Sequence, residues 1–142
     1  MNTEYAKMLR ECWDRILMCG NIEICTDKLK DCGILEVKIL KYIYRNPDCM
    51  IKSISKALNV PNSTFSNAVN RLSSRDLLIR EISNDDLRSY KLTLTADGKQ
   101  AAAEHIAAEV KIFERLIDDF NEHDKSELLR LLDAVADKCT RT

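Results

Sequence analysis

The chain has 142 residues and a formal net charge of −1, and 45% of its residues are hydrophobic and 32% are charged. This length fits one domain with a modest core, and the small number of glycines and prolines is typical of a compact, mainly helical protein. Because no apolar run approaches the roughly 20 residues of a membrane span and the N-terminus lacks the apolar segment of a signal peptide, we expect a cytoplasmic protein with no membrane partner.

Helical periodicity dominates the first third of the sequence. Apolar residues at steps of three and four predict a first helix over about residues 3–19. A less regular segment separates it from a second helix, which we expect to begin after Gly33 and to end before Pro47. Proline ends the helix because it has no amide hydrogen and disfavours a helical residue before it.

Two further helices follow in quick succession. A short helix is predicted over about residues 51–58 and a longer one over about 62–75, with Pro61 in the tight turn at the start of the second. Phe65, Val69 and Leu72 recur at helical spacing and predict the buried side of the longer helix. A helix, a tight turn and a second helix form a helix-turn-helix.

The apolar period changes to two after residue 75. Residues 77–82 and 89–95 predict the strands of a hairpin, which forms a wing beside the helix-turn-helix. A fifth helix is expected to begin near Thr95, which suits an N-cap, and a sixth covers about residues 124–139. The predicted fold class is therefore mainly α, a winged helix-turn-helix with about six helices and a two-stranded β-hairpin.

The fourth predicted helix carries no carboxylate on its surface. Residues 51–95 hold 7 basic and 4 acidic side chains, and residues 49–75 contain no Asp or Glu. A polyanionic partner is the simplest physical reason for such a surface, and short polar side chains at the start of a helix suit contact with base edges in the major groove of double-stranded DNA. The residues expected to make these contacts are Ser63, Thr64, Ser66, Asn67 and Asn70.

Basic residues around this helix are expected to contact the DNA backbone. Arg71 and Arg75 lie further along the same helix, and Lys52 on the third helix flanks the predicted backbone crossing. At the tip of the hairpin, Arg88 is expected to enter the minor groove, where the negative potential attracts a single arginine. Asp86 would accept hydrogen bonds from Arg88 and orient its guanidinium group.

Two stretches carry a resemblance to a known family. NVPNSTFSNAV (59–69) resembles the recognition-helix start of the MarR family of winged-helix transcription regulators, and DLRSYKLTLTADG (86–98) resembles its wing signature. The resemblance implies a DNA-binding region over residues 33–98, with dimerisation helices at 1–32 and 99–142. It also implies a homodimeric repressor of a palindromic operator, released by a small-molecule or oxidant signal, with no cofactor.

Three positions depart from the family pattern. Asn67 and Leu87 stand where many members carry arginine, so DNA contacts are expected to be weaker there. Asp76 stands where glycine usually ends the recognition helix, although Asp tolerates the left-handed backbone better than most residues. These departures leave open the alternative of a winged-helix module that binds proteins and not DNA.

An apolar stripe on the fifth helix independently supports a homodimer. Its spacing of four and three residues resembles a heptad, and a long helix with such a seam must bury it against another element. The stripe consists of Ile106, Val110, Phe113, Ile117 and Phe120.

Other chemistry has little support in the sequence. Cys12, Cys25 and Cys49 are the candidates for a thiol-based redox sensor, another alternative function, although acidic neighbours disfavour a thiolate at Cys12. The two histidines are 18 residues apart, so no metal site is expected. Because the chain has no phosphate-binding glycine loop, GxSxG or HExxH motif, we predict that it is not an enzyme.

Overall fold

A computed structural model describes residues 1–20, 26–82 and 90–141. Within these ranges the predicted fold class is confirmed: the chain is mainly helical, with a two-stranded antiparallel sheet between the fourth and fifth helices. The helices are α1 (Asn2–Leu17), α2 (Ile34–Arg45), α3 (Ile51–Leu58), α4 (Asn62–Ser74), α5 (Ala96–Ile117) and α6 (Glu122–Thr140), and the strands are β1 (Leu78–Ile82) and β2 (Tyr90–Leu94).

The chain divides into two compact units, Met1–Glu109 and Val110–Thr142. The buried hydrophobic residues of the described ranges all belong to the first unit, where α2, α3, α4, the sheet and the start of α5 enclose them. The largest side chains that are fully buried are Ile39, Leu40, Ile54, Val69, Leu72, Leu78 and Leu92.

In the described ranges, three residues other than glycine have a positive φ, and they follow α2, α3 and α4. Asp48 (φ 58°) follows Pro47 after α2, Asn59 (φ 49°) caps α3, and Asp76 (φ 57°) follows α4. Asn and Asp adopt this left-handed backbone at a lower cost than other residues with a side chain. The sequence-based expectation that Asp76 replaces the usual glycine at the end of α4 is therefore confirmed in its backbone conformation.

The wing sheet is attached to the segment that precedes α3. In the hairpin, Leu78 pairs with Leu94 and Ile82 with Tyr90. The amide of Leu92 also donates to the carbonyl of Cys49 at 3.0 Å. Because the same strand pairs on both edges near its centre, the base of the wing has a fixed position relative to α3.

Hydrogen bonds of Thr95 connect the start of α5 to the turn after α4. Thr95 is the N-cap that its position predicted: its Oγ1 accepts from the Gly98 amide at 3.0 Å and donates to the Asp76 carbonyl at 2.6 Å. A Cβ atom on Gly98 would lie only 1.9 Å from the Leu77 carbonyl oxygen. Glycine is required here because the two backbones approach too closely for any side chain.

A charged cluster joins α2 to α5 inside the first unit. Glu109 Oε1 accepts from Lys41 Nζ at 2.7 Å and lies 3.2 Å from Nε2 of the buried His105. The cluster fixes the first half of α5 against the winged helix.

Two helix ends differ from the prediction by two residues. The first helix ends at Leu17 and not near Cys19, because the last turn tightens and the Cys19 amide donates to the carbonyl of Ile16. The last helix begins at Glu122, two residues earlier than expected, because the Asn121 side chain accepts from the Asp124 amide at 2.9 Å and caps it.

The terminal helices contrast with the winged helix in burial. Neither α1 nor α6 buries any of its residues. In the described ranges, no helix is both long enough and apolar enough to cross a membrane.

Candidate nucleic-acid interface

Helix α4 packs on the core through one side. This side faces α2 and β1, and its four apolar residues are almost fully buried, which fixes the rotation of the helix about its axis. The buried residues are Phe65, Ala68, Val69 and Leu72.

The opposite side of α4 is a polar stripe without charge. Its residues recur at steps of four, three and four, and all of them are exposed. We call them the polar stripe: Ser63, Asn67, Asn70 and Ser74. Thr64 and Ser66 flank the stripe and are also exposed, so the structure brings the five predicted base-contacting residues together on one accessible helix surface.

The N-terminal ends of α3 and α4 favour anions. Neither helix has an acidic residue in its first turn, and neither has a side-chain cap on its first amides. The amide hydrogens that have no partner within a helix carry the positive end of the helix dipole. Both ends are therefore suited to phosphate groups.

The position of Arg71 differs from the one expected of a phosphate contact. Its Nε donates to Oε1 of Glu36 at 2.7 Å, and Glu36 on α2 is only 4% exposed. Leaving a buried carboxylate oxygen without this donor would cost roughly 1–3 kcal/mol or more, whereas an exposed ion pair contributes under about 1 kcal/mol. The buried acceptor therefore favours an orientation of Arg71 in which Nε faces Glu36.

Arg75 is also held within the protein. Its Nη2 donates to the carbonyl of Asp31 at 2.8 Å, and its Nη1 lies 3.3 Å from the sulfur of Cys32. Burial raises the pKa of the Cys32 thiol; Arg75 opposes this shift, and Glu36 adds to it. Arg71 of α4 and Arg75 at its C-cap thus both bind residues in the range 31–36, and both side chains remain exposed.

Sequence reasoning missed Arg80 as a member of this surface. Arg80 lies on β1, is exposed, and donates from Nη2 to Oδ1 of Asn70 in the polar stripe. The alternation of the strand places Arg80 on the same face as the buried Leu78. The alternation of residues along β1 is therefore the sequence signal that could have placed Arg80 beside α4.

The remaining predicted DNA-binding residues divide into two groups. Lys52 on α3 is exposed. Asp86 and Arg88, together with Leu87, lie outside the described residues, so their assignment to the minor groove stays a prediction.

The thiols predicted as possible redox sites occupy different environments. Cys12 is exposed on α1, and Cys49 is half-buried. Burial raises the pKa of the Cys49 thiol, and the neighbouring Asp48 carboxylate adds to the shift. Cys25 lies outside the described residues. A raised pKa disfavours the reactive thiolate, so Cys49 is poorly suited to sensing.

Together, the fold and this exposed helix define the class of protein: a winged helix-turn-helix. Residues 34–90 match the model of the MarR family. The chain is similar to the uncharacterized HTH-type transcriptional regulator YwhA of Bacillus subtilis (strain 168). The two sequences are 28% identical over 98 aligned residues, which are 69% of this chain and 70% of that protein.

Two solved structures are similar over nearly the whole chain. The structure of Streptococcus pneumoniae FabT in complex with DNA superposes with a TM-score of 0.79 at 22% sequence identity. The superposition covers 98% of this chain and 97% of the FabT chain. A MarR transcriptional regulator from Methanosarcina mazei Go1 has a TM-score of 0.76 at 21% identity and covers 97% of this chain and 98% of that one. At these identities the likeness shows the fold. Residues 34–90 therefore carry a MarR-family domain, as the recognition-helix and wing motifs predicted.

Proposed function

We propose that the protein is a homodimeric repressor that binds a palindromic DNA operator and is released by a small-molecule or oxidant signal. The observation that carries the DNA-binding part is the polar stripe of α4, which is exposed and uncharged and follows an uncapped helix N-terminus. Hydroxyl and amide side chains of this length hydrogen-bond to base edges, and the helix start attracts phosphate. The similarity to FabT, which was solved in complex with DNA, supports the same reading.

Exposed apolar side chains support the homodimer. On α1, Tyr5 is 69% exposed and Leu9 is 62% exposed. The second unit separately exposes Phe113 and Leu129, at 62% and 64%. Large apolar side chains in such numbers mark an interaction surface, and two-fold symmetry would present two recognition helices to two half-sites about 34–36 Å apart. We therefore assign residues 1–32 and 99–142 to dimerisation and 33–98 to DNA binding.

The effector part of the proposal follows from the family resemblance. An effector would act by changing the distance between the two recognition helices. We expect no catalytic activity, no cofactor and a cytoplasmic location.

Fluorescence anisotropy tests DNA binding directly. The purified protein is titrated against DNA from upstream of its own gene and against scrambled DNA of equal length, at two salt concentrations. We expect selective, salt-dependent binding that Asn67→Ala weakens and Ser126→Ala, an exposed position on α6, leaves unchanged. Arg88→Ala should reduce the salt slope by about one. Equal, weak binding to both DNAs would instead favour a winged helix that binds a protein partner.

A further inference from the structure

Among the described residues, the buried carboxylate of Glu36 forms an ion pair with one cation, Arg71. It lies in the first turn of α2, and its Oε1 accepts from Arg71 Nε. Its Oε2 is also buried and has no hydrogen-bond partner in the described ranges. A carboxylate removed from water requires a charged or hydrogen-bonding partner, so Arg71 and Glu36 constrain each other.

The geometry of α4 shows which arginines can act on DNA. Arg71 lies beside the polar stripe, on the flank that faces α2, and Arg75 follows it by one helical turn on the same flank. Arg71 is paired through Nε with Glu36 while 53% of its side chain stays exposed, and Arg75 is hydrogen-bonded to residues 31 and 32, so the polar stripe itself presents hydroxyls and amides and no cation.

We propose that Glu36 is a positioning residue that withholds Arg71 from DNA phosphates and thereby limits sequence-independent binding. The inference rests on the DNA-binding function proposed above. Sequence-independent affinity increases with each phosphate that a protein neutralises, whereas base contacts supply selectivity. A free Arg71 would therefore strengthen binding to every DNA, including the large excess of non-specific sites in a genome.

The test measures the salt slope of DNA binding for three forms of the full chain: the unaltered protein, Glu36→Met, and the double variant Glu36→Met/Arg71→Met. We expect Glu36→Met to steepen the slope by about 0.9 for each protomer and to increase the affinity for scrambled DNA. We expect the double variant, which has no buried charge, to return to the slope of the unaltered protein. Glu104→Met removes an exposed carboxylate from α5 and controls for the general change in net charge.

Three outcomes would overturn the inference. A double variant with a flatter slope than the unaltered protein would show that Arg71 already contacts phosphate. This comparison stands even if Glu36→Met alone melts below the assay temperature. A folded Glu36→Met protein with an unchanged slope would show that Arg71 is not released. Equal, weak binding of the unaltered protein to operator and scrambled DNA would remove the proposed function and this inference with it, and is recognised without any variant.

Discussion

The winged helix and the terminal helices differ in how they are stabilised. The segment from Leu29 to Ala102 contains the whole described hydrophobic core, whereas α1 and α6 bury no residue within the single chain. The winged helix therefore has the apolar burial that a folded unit needs, and the terminal helices carry apolar surface without burying it. A single chain thus buries the core of the winged helix, whereas the terminal helices leave their large apolar side chains exposed.

Truncation of a core residue should cause the largest loss of stability. Leu40 is fully buried, so Leu40→Ala should lower the free energy of unfolding by about 2–5 kcal/mol. Leu9 on α1 is 62% exposed, and Leu9→Ala is the matched variant. Urea denaturation at several protein concentrations separates the two, because a loss of stability that comes from a dimer contact varies with protein concentration, whereas a loss from the core of one chain does not.

The comparison between the two regions would fail if the effects were reversed. A large loss from Leu9→Ala that does not change with protein concentration would show that α1 is stabilised within its own chain. A small loss from Leu40→Ala would show that the winged helix has no rigid core.

The close approach at Gly98 gives the next largest effect. Alanine in a helix is normally more favourable than glycine by roughly 0.5–1 kcal/mol. At Gly98, however, the added Cβ meets a backbone carbonyl that cannot move aside, so Gly98→Ala should destabilise the protein by about 1–3 kcal/mol. Gly20, which has no atom within 4 Å of an added Cβ, is the control. Equal melting temperatures of the two variants would contradict the assigned backbone contact.

Asp76→Gly, in contrast, should raise the free energy of unfolding. The residue has φ 57° and its amide donates to the Ser73 carbonyl, so glycine relieves the left-handed conformation without loss of that hydrogen bond. We expect a gain of about 1 kcal/mol in the free energy of unfolding. The matched change Asp97→Gly, in the first turn of α5, should instead lower stability. A loss at both positions in chemical denaturation would argue against the conformation at Asp76.

The smallest effect concerns the half-buried thiols. Because burial raises the pKa of Cys32 and Cys49, the folded protein holds less thiolate at these positions than an unfolded chain does. Alkylation by iodoacetamide at pH 8, followed by mass spectrometry, should be slower at both sites in the native protein than in urea. The stability that these neutral thiols contribute is present below the ordinary thiol pKa and is lost as the pH rises through their raised values. Rapid native alkylation of either thiol would contradict this assignment.

The local structure of this protein was determined by its sequence alone. The apolar periods located the helices and the hairpin, Pro47 marked the end of α2, and Thr95 marked the start of α5. The polar stripe of α4 followed from the same periodicity, because three apolar residues are enough to define which side of a helix is buried. These signals are short-range, and they do not depend on any distant part of the chain.

Only the tertiary structure decided the directions of the charged side chains. The sequence predicted a phosphate contact for Arg71, but its partner Glu36 is 35 residues away in the chain. Arg80 on β1 likewise binds Asn70 on α4, a different element. An arginine side chain is long and has several donors, so its direction depends on which acceptor lies buried within reach. That acceptor is positioned by the packing of α2 against α4, which no local pattern in the sequence encodes.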